Sequence, residues 1–512
     1  MIIKRTQNAV RNMVTGTVLK LYQILCPFAI RTVFIYTLGM NYLGLNSLFA
    51  SILQVLNIAE LGVGSAMVYS MYKPITEDDT STICALMKLY KIYYRIIGTV
   101  ILVVGIIITP FIPKMISGEV PADINIYVLY YINLLTTVFS YWLFAYKNSL
   151  LQAHQRLDVV NNIALFTNTV QYIVQVVILV LAKNYYLYIL TALFIQLVTN
   201  IVTAIVATKM YPEYKAGGEL DKSQVKKING RVKDLFTNKV GGVIVNSADS
   251  IVISAFLGLT VLAVYNNYWY IMTSVIGFIA VIFNSCTAGI GNSIIVETNE
   301  KNFNDFKSFL FIIMWIVGIC GSCFVCLYQP FMYVWIGEDG LLPFGVVVCL
   351  YFYFAIYEIN QLCVTYKDAA GIWHQDRFRP LITGIINLIL NLITVRFIGV
   401  FGIILSTVVS TAFVGLPWIL KNLFDNLFTE DAKEDASTFF KRIILYLTIY
   451  CGMTAFCYII CWLLLQEYDV VNLILRALIA VIMPNIILWL FYHSTEEYHF
   501  MKKLALKIIK RH

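Results

Sequence analysis

Two basic residues, Lys20 and Arg31, lie inside the first long apolar segment of the chain. A charged side chain at the centre of a bilayer costs about 2.5–3.5 kcal/mol on insertion scales, so such residues commonly mark function. In a helix, these two side chains would lie within about 20° of each other around the axis and about 16 Å apart along it. Gln23 lies near the same face. Since a guanidinium and an ammonium on one face can bind phosphate, we expect this face to line a cavity.

Other roles are open for these charges. Lys20 could extend to the inner membrane interface and Arg31 to the outer one, without any ligand. Asn246 and Asp249 lie in the seventh apolar segment, and Glu358 lies in the tenth. Asp249 could neutralise Lys20 or Arg31, bind a coupling cation, or form a fixed ion pair. The predicted substrate-binding residues are Lys20, Gln23, Arg31, Asn246, Asp249 and Glu358.

A second group of basic residues surrounds a motif that occurs twice. Tyr146-Lys147 is followed after six residues by His154-Gln155, and Tyr366-Lys367 is followed after six residues by His374-Gln375. A histidine in such a loop commonly has a structural role, but the basic residues around it could also attract phosphate to a cytoplasmic entrance. The residues predicted for this entrance are Lys91, Arg95, Lys147, His154, Lys367 and His374.

The composition indicates that membrane helices position these residues. Of the 512 residues, 60% are hydrophobic and 13% are charged, and the mean hydropathy is +0.77. Soluble domains carry about 25% charged residues. The apolar segments are long and lack the two-residue alternation of barrel strands. We therefore predict an all-α polytopic membrane protein with about 14 transmembrane helices, arranged as two parallel six-helix lobes plus two C-terminal helices.

Two polar stretches divide the predicted spans into groups of six, six and two. The predicted organisation is an N-terminal six-helix lobe (1–210), a cytoplasmic linker (211–235), a C-terminal six-helix lobe (236–421), a cytoplasmic loop (422–442), two extra helices (443–492) and a basic cytoplasmic tail (493–512).

Basic residues predict the orientation of the spans, because cytoplasmic loops retain Lys and Arg. With the N-terminus in the cytoplasm, all but six of the 37 Lys and Arg residues lie in inner loops, tails or adjoining helix ends. An even number of spans then places both termini in the cytoplasm. The net charge of +8 thus reflects topology and an anionic inner leaflet, and it does not indicate nucleic-acid binding.

Further matches between the two halves support a repeat. The pattern Asn12-x-Val14-x-Gly16 corresponds to Asn238-x-Val240-x-Gly242, and Gly62-x-Gly64-Ser65 corresponds to Gly289-x-Gly291-Asn292-Ser293. Both halves begin on the same side of the membrane. They are therefore predicted to be parallel repeats related by an axis along the membrane normal, an arrangement that is common in transporters.

The sequence contains few of the residue patterns expected of an enzyme active site or a metal site. It contains no Walker A motif and no Ser/His/Asp arrangement, and no polar segment is long enough for a nucleotide-hydrolysing domain. Nearly all of the eleven cysteines fall in apolar segments. Cys320, Cys323 and Cys326 have no His or carboxylate in their segment, which favours helix packing over metal binding. We expect a transporter without a cofactor.

Three stretches carry a resemblance to a known family: residues 42–75, with Glu60-Leu61-Gly62-Val63-Gly64; residues 146–153; and residues 249–258. With the six-six-two layout, they resemble the multidrug/oligosaccharidyl-lipid/polysaccharide exporter superfamily. Within it, the chain is most similar to Wzx-type polysaccharide-biosynthesis flippases.

The resemblance implies transport of an undecaprenyl-pyrophosphate-linked oligosaccharide across the cytoplasmic membrane by alternating access, in the biosynthesis of a surface polysaccharide such as O-antigen or capsule. It implies membrane lipids, a polysaccharide polymerase and a chain-length regulator as partners. Coupling to protons, sodium or the membrane potential stays open.

Two alternatives remain at this point. A cation-coupled multidrug antiporter of the same superfamily would need an acidic pocket, for which Asp249 and Glu358 are candidates, but the two cations of the first span argue against it. An integral-membrane glycosyltransferase or polymerase would need a sizeable outer loop or a carboxylate pair near an interface, and the longest outer connections, near residues 113–123 and 329–343, are short.

Overall fold

The part of the chain that the structure describes consists of helices joined by short loops. This computed structural model describes residues 5–118, 120–428 and 435–509, and no strand occurs in these ranges. Helices satisfy the backbone hydrogen bonds internally, as a lipid environment requires. The residues form two compact units, Met1–Ala263 and Val264–His512, here called the first unit and the second unit.

The first unit contains nine complete helices among its described residues and the first turn of a tenth. They are α1 (Arg5–Thr37), α2 (Met40–Leu56), α3 (Val63–Thr76), α4 (Thr80–Ile108), α5 (Ile126–Trp142), α6 (Tyr146–Ala153), α7 (Leu157–Val177), α8 (Tyr185–Met210), α9 (Lys222–Leu257) and the start of α10 (Leu259–Val296). A 3-10 turn at Asn57–Glu60 links α2 to α3.

The second unit contains the rest of α10 and the remaining described helices. They are α11 (Asn299–Ile336), α12 (Phe344–Ala369), α13 (Trp373–Asp376), α14 (Arg379–Ser410), α15 (Leu416–Asn426), α16 (Ala436–Leu464), α17 (Val470–Tyr492) and α18 (Glu496–Ile509).

The predicted all-α polytopic fold is confirmed. Among the described residues, eleven helical segments are long and apolar enough to cross a membrane, or twelve if the bent pair α5–α6 is one span. This count omits α10, which has 38 residues. It also takes the 54-residue segment Trp373–Asn426 as one span, although non-helical backbone at Ile398 and Gly399 interrupts it. If α5–α6 is one span, and α10 and the two parts of that segment are counted separately, the total is fourteen.

Two helices extend beyond the apolar segments that predicted them. The C-terminal lobe, and with it the seventh span, was predicted to begin at residue 236, but α9 begins at Lys222 and takes in much of the predicted linker at 211–235. Most of the predicted basic tail forms α18. The reason is that hydropathy reports contact with lipid, whereas the helical hydrogen bonds continue through the polar turns that flank a span.

Polar side chains in the loops set several helix starts. Asp79 Oδ1 accepts a hydrogen bond from the backbone N–H of Thr82 at 3.0 Å. Asp469 Oδ1 accepts one from the backbone N–H of Asn472 at 2.6 Å. Such caps satisfy N–H groups that have no partner within the first turn of a helix.

In the first unit, α9, which contains the seventh predicted span, packs with the helices of the first six spans. α1 packs along α7, and α2 packs along α9. The contact between α2 and the chain after α9 is close, because a Cβ atom at Gly44 would lie only 2.1 Å from the carbonyl oxygen of Leu259. The boundary between the two units accordingly falls inside α10, downstream of the predicted linker.

The core of the second unit is built around α11, which packs on α12, α16 and α17. At one end, Phe306 stacks on Phe439 with ring centroids 5.0 Å apart. Farther along, Cys326, Cys457 and Cys461 form a fully buried apolar cluster with Ala480. Small side chains at these positions let the helices approach closely.

Candidate functional site

A cavity of about 640 Å³ lies within the first unit. Residues of α3, α4, α6, α7 and α8 line it, together with Glu60 of the 3-10 turn and Phe144 and Ala145 between α5 and α6. Its lining comes from the first half of α4, the early turns of α7 and the middle of α8. It therefore lies towards the end of the unit where α1 begins, because Asn12 of α1 contacts Gln155 beside the start of α7. We call it the Glu60 cavity.

Glu60 and two tyrosines form one wall of the Glu60 cavity. The hydroxyl of Tyr94 donates to Glu60 Oε1 at 3.3 Å, and the hydroxyl of Tyr90 donates to that of Tyr94 at 2.5 Å. The close fit depends on Gly64, where a Cβ atom would lie 3.0 Å from Glu60 Oε1 and 3.1 Å from the Tyr90 hydroxyl. The carboxylate is thus held in one place by its neighbours.

Two helix breaks shape the Glu60 cavity. Gly62, with a φ of 91°, lies between the 3-10 turn that carries Glu60 and the start of α3. α5 and α6 are bent by 51°, and between them Phe144 has a φ of 58°. Left-handed backbone at a non-glycine residue is strained and often occurs at functional sites. The bend turns α6 so that Asn148, Ser149 and Gln152 face the cavity.

Amides and hydroxyls make up the opposite wall. Gln196 Nε2 donates to Asn200 Oδ1 at 3.1 Å, and Asn200 Nδ2 donates to the carbonyl oxygen of Ser140 at 3.1 Å. Asn148 Oδ1 is buried and has no hydrogen-bond partner among the described residues. A buried acceptor without a donor is costly, so this oxygen is suited to receive a hydrogen bond from a ligand.

The mouth of the Glu60 cavity is aromatic. Tyr69 and Tyr72 are exposed, with ring centroids 6.2 Å apart, and the guanidinium of Arg231 lies 4.6 Å from the Tyr69 ring centroid. Among the described lining residues, Glu60 is the one carboxylate, and there is no lysine or arginine. This lining can bind a neutral, hydroxyl-rich group, or a cation that contacts Glu60 and the rings.

Glu60 is not among the binding residues predicted above, because it lies near the inner end of the second apolar segment, where a carboxylate can simply face water. The structure makes it a half-buried lining residue. A signal was present in the sequence. Tyr90 and Tyr94 are four residues apart and therefore share a helix face, and Gly62 and Gly64 closely follow the turn that carries the carboxylate.

The predicted cationic residues lie on α1, away from the lining of the Glu60 cavity. Lys20 and Gln23 are exposed, and Arg31 is half-buried. Arg31 lies within electrostatic reach of Tyr188 on α8. Within the described residues, Lys20 forms no ion pair with an acidic side chain. Lys20, Gln23 and Arg31 thus lie on one helix, and none of them lines the Glu60 cavity.

The other predicted binding residues lie on different helices. Asp249 is 4% exposed on α9, which packs on α2 rather than along α7 as α1 does. Asn246 is also on α9, but its side chain is outside the described part of the structure. Glu358 lies on α12 in the second unit and is 1% exposed. Its Oε1 has no hydrogen-bond partner among the described residues.

Three of the six residues predicted to form a cytoplasmic entrance are buried, whereas Arg95 and His374 are exposed and Lys91 is half-buried. Among the lysines and histidines of the two motif copies, Lys147, His154 and Lys367 are buried. His374 is exposed. Lys91 and Arg95 are on α4, and the Lys91 ammonium lies 5.8 Å from the ring centroid of Tyr146. The two motif copies therefore lie at helix connections, here called the first elbow (residues 146–158) and the second elbow (residues 366–379).

A carboxylate organises the first elbow. Asp158 accepts hydrogen bonds from Arg156 Nε at 2.9 Å and from Arg156 Nη2 at 3.1 Å. Arg11 Nη2 of α1 lies 3.7 Å from the same carboxylate. The side chain of Asn12 accepts from the Asp158 N–H at 2.8 Å and donates to the Gln155 carbonyl at 3.0 Å. The elbow is thereby fixed to the start of α1.

The second elbow has a corresponding but more deeply buried network. Asp376 has a fully buried side chain and accepts from Arg379 Nε at 2.7 Å and from Nη2 at 2.9 Å. Asn422 Nδ2 donates to Asp376 Oδ1 at 3.0 Å, and Lys367 Nζ lies 3.8 Å from Oδ2. This network fixes the elbow to α15.

Acidification is expected to destabilise the first unit through His154. Its ring packs 4.2 Å from that of Tyr211, and its Nδ1 donates to the Leu150 carbonyl at 2.8 Å. Burial lowers the pKa of His154 below its usual value, which is about 6.5. As the pH falls below about 6.5, the unfolded chain binds a proton that the folded chain does not, so stability is full above this pH and declines below it.

The measurement is the thermal midpoint of the detergent-solubilised protein between about pH 7.5 and 5. His154→Phe should flatten the pH dependence, even if it lowers the midpoint at all pH values. The matched control is His374→Phe, which removes the exposed histidine of the second copy and should leave the slope unchanged. Equal slopes in the wild type and His154→Phe would contradict the prediction.

Comparison with known proteins identifies solved structures with the same fold. No family model and no curated protein sequence matches the chain. A structure of the lipid II flippase MurJ in an inward closed conformation matches with a TM-score of 0.61 and 15% identity, over 96% of this chain and 99% of that one. An inward-facing multidrug resistance MATE family transporter of the MOP superfamily matches with a TM-score of 0.61 and 14% identity, over 79% and 97%.

A mutant of the Vibrio cholerae MATE transporter VcmN matches with a TM-score of 0.54 and 14% identity, over 83% of this chain and 99% of that one. The chain therefore has the fold of these MATE transporters and of the MurJ flippase. The predicted fold of the superfamily is confirmed.

Proposed function

We propose that this protein is a MOP-type flippase that moves an undecaprenyl-pyrophosphate-linked oligosaccharide from the inner to the outer leaflet of the cytoplasmic membrane. It would act by alternating access, without a cofactor, in the biosynthesis of a cell-surface polysaccharide. Both termini would lie in the cytoplasm. A polysaccharide polymerase and a chain-length regulator would receive the transported unit.

The observation that carries this proposal is the charge on α1. The segment Val14–Thr37 is apolar enough to span a membrane, yet Lys20 is exposed on it and Arg31 is half-buried. A basic side chain exposed within a membrane-spanning segment is costly in lipid. The α1 face is therefore suited to a water-filled cleft that admits an anion. A pyrophosphate group provides that anion, and arginine binds its oxygens in a bidentate manner.

The extent of the structural likeness also supports a flippase. The MurJ structure aligns with 96% of this chain, whereas the MATE structures align with 79% and 83%. An alignment of that length must include most of α16 and α17, which are the two helices beyond the predicted six-plus-six repeat.

A cation-coupled multidrug antiporter is the second candidate, and the Glu60 cavity favours it. A carboxylate near several tyrosine rings is a suitable environment for an organic cation. Its lining, unlike α1, contributes no positive charge among the described residues. The two candidates therefore predict cargo of opposite charge.

Transport by the purified protein in vesicles tests the proposal. Vesicles are loaded with undecaprenyl pyrophosphate carrying a neutral disaccharide, and a membrane-impermeant probe reports its arrival in the outer leaflet. The flippase should move this lipid, and proton, sodium and potential gradients can be imposed in turn to identify the coupling. Absence of glycolipid movement, together with gradient-driven efflux of ethidium, would replace the proposal with the multidrug function.

A further inference from the structure

We propose that the Glu60 cavity binds a sugar unit of the transported glycolipid, at a site separate from the cations of α1. This inference rests on the proposed function, because it assumes that the cargo is a glycolipid. It divides recognition into two parts: α1 binds the charged pyrophosphate, and the cavity in the first unit binds the neutral saccharide.

The lining matches the chemistry of a saccharide. A sugar hydroxyl is both a donor and an acceptor, and it needs partners of both kinds. Asn148, Gln152, Gln196 and Asn200 provide amide groups of both kinds at the cavity wall. The volume of about 640 Å³ is within the range of about 300–1,000 Å³ that is usual for small-molecule sites.

Glu60 provides the strongest acceptor in the cavity. Its Oε1 accepts from the Tyr94 hydroxyl, but a carboxylate offers about four acceptor positions. Acceptor capacity therefore remains for ligand hydroxyls, and hydrogen bonds to an ionised group are about twice as strong as neutral ones. Because the tyrosine pair and the tight contact at Gly64 hold the carboxylate, little ordering is needed when a ligand binds.

The buried Asn148 Oδ1 points independently to a ligand that donates hydrogen bonds. It has no partner among the described residues and lies on α6, immediately after the strained bend at Phe144. A sugar hydroxyl can donate to it. An organic cation without N–H or O–H groups cannot, and it would also displace water from the wall amides without replacing their hydrogen bonds.

The aromatic mouth suits the less polar faces of a sugar ring. The exposed rings of Tyr69 and Tyr72 provide flat apolar surfaces with hydroxyls at their edges. The cavity also lies towards the end of the unit where α1 begins. If that end faces the cytoplasm, as the basic residues predict, the cavity is where a newly made glycolipid would first be bound.

The test compares two lipids that differ only in the sugar: undecaprenyl pyrophosphate carrying a neutral disaccharide, and undecaprenyl pyrophosphate alone. The full-length protein in vesicles should have a lower half-saturating concentration for the glycosylated lipid. Glu60→Ala should raise that concentration about 10- to 100-fold, as expected for losing a hydrogen bond to a charged group. Neither Glu60→Ala nor Asn148→Ala should alter the value for the bare lipid.

Glu77→Gln is the matched control for Glu60→Gln. Glu77 is exposed, lies just after α3 and pairs with Lys73 at 3.6 Å. Thermal midpoints check that each variant is folded. Where Glu60→Ala does not fold, Glu60→Gln and Asn148→Ala replace it, each with an expected loss of about tenfold.

The possible outcomes are distinguishable. If the wild type transports both lipids with the same half-saturating concentration, the saccharide site is wrong and the flippase proposal survives. If neither lipid moves, the flippase proposal itself fails. If tetraphenylphosphonium, a cation without N–H or O–H groups, binds the purified protein and this binding is lost in Glu60→Gln but not in Glu77→Gln, the cavity is a cation site and the inference is overturned.

Discussion

Replacing Arg31 with alanine is expected to lower transport of the pyrophosphate-linked lipid about 10- to 100-fold, while the amount of folded protein stays the same. The estimate corresponds to losing about 1.5–3 kcal/mol from a charge-assisted hydrogen bond. Arg31 is half-buried on α1, in a segment where a cation is costly unless it has a role. The initial rate of appearance of the lipid in the outer leaflet is the measurement.

Two further variants separate binding of the pyrophosphate from a structural role of Arg31. Arg31→Lys keeps the charge but loses the planar fork, so it should retain part of the transport activity. Arg396→Ala removes an exposed arginine from α14 and controls for the loss of positive charge from a membrane helix. Unchanged glycolipid transport in folded Arg31→Ala protein would remove Arg31 from the binding site.

Replacing Asp376 with alanine is expected to destabilise the protein by about 3–5 kcal/mol, the usual cost of removing one partner from a buried ion pair. Its carboxylate is fully buried and accepts two hydrogen bonds from Arg379. Without it, the guanidinium of Arg379 would stay buried with its main counter-charge removed. The thermal midpoint and the yield of folded, detergent-solubilised protein measure the effect.

The matched control for Asp376 is Asp425→Ala, which removes an exposed carboxylate from α15 and should change the midpoint little. A second variant tests the cause. Asp376→Leu combined with Arg379→Met removes both charges and should be more stable than Asp376→Ala, because no buried guanidinium is then left uncompensated. A double variant as unstable as Asp376→Ala would indicate that packing, rather than charge, stabilises this elbow.

The two elbows show how a repeat in sequence can differ in structure. The sequence matched His154 with His374 and suggested that both could attract phosphate. In the structure, His154 is buried against Tyr211, whereas His374 is exposed and contacts Arg377. The Arg–Asp pairs also occur in opposite order along the chain, as Arg156 before Asp158 and as Asp376 before Arg379. Both elbows are held by an Arg–Asp ion pair, but only the second copy presents its histidine to solvent.

Taken by itself, the sequence determined the fold class and the approximate positions of the spans. Its apolar segments are long because each must cross the hydrocarbon core, and lipid leaves the helix as the only arrangement for such segments. The same rule singled out Lys20, Arg31, Asp249 and Glu358, because a charge inside an apolar segment is visible without any knowledge of packing.

Only the tertiary structure revealed the Glu60 cavity. Its lining comes from separate helices and from the breaks at Gly62 and Phe144, and hydropathy records neither the angle of a break nor which helix faces pack together. Glu60 seemed unremarkable in the sequence because it follows the apolar part of its span. Its position beside Tyr94 and opposite the amides of α6 and α8 depends on contacts between residues far apart in the chain, and such contacts form only when the helices pack.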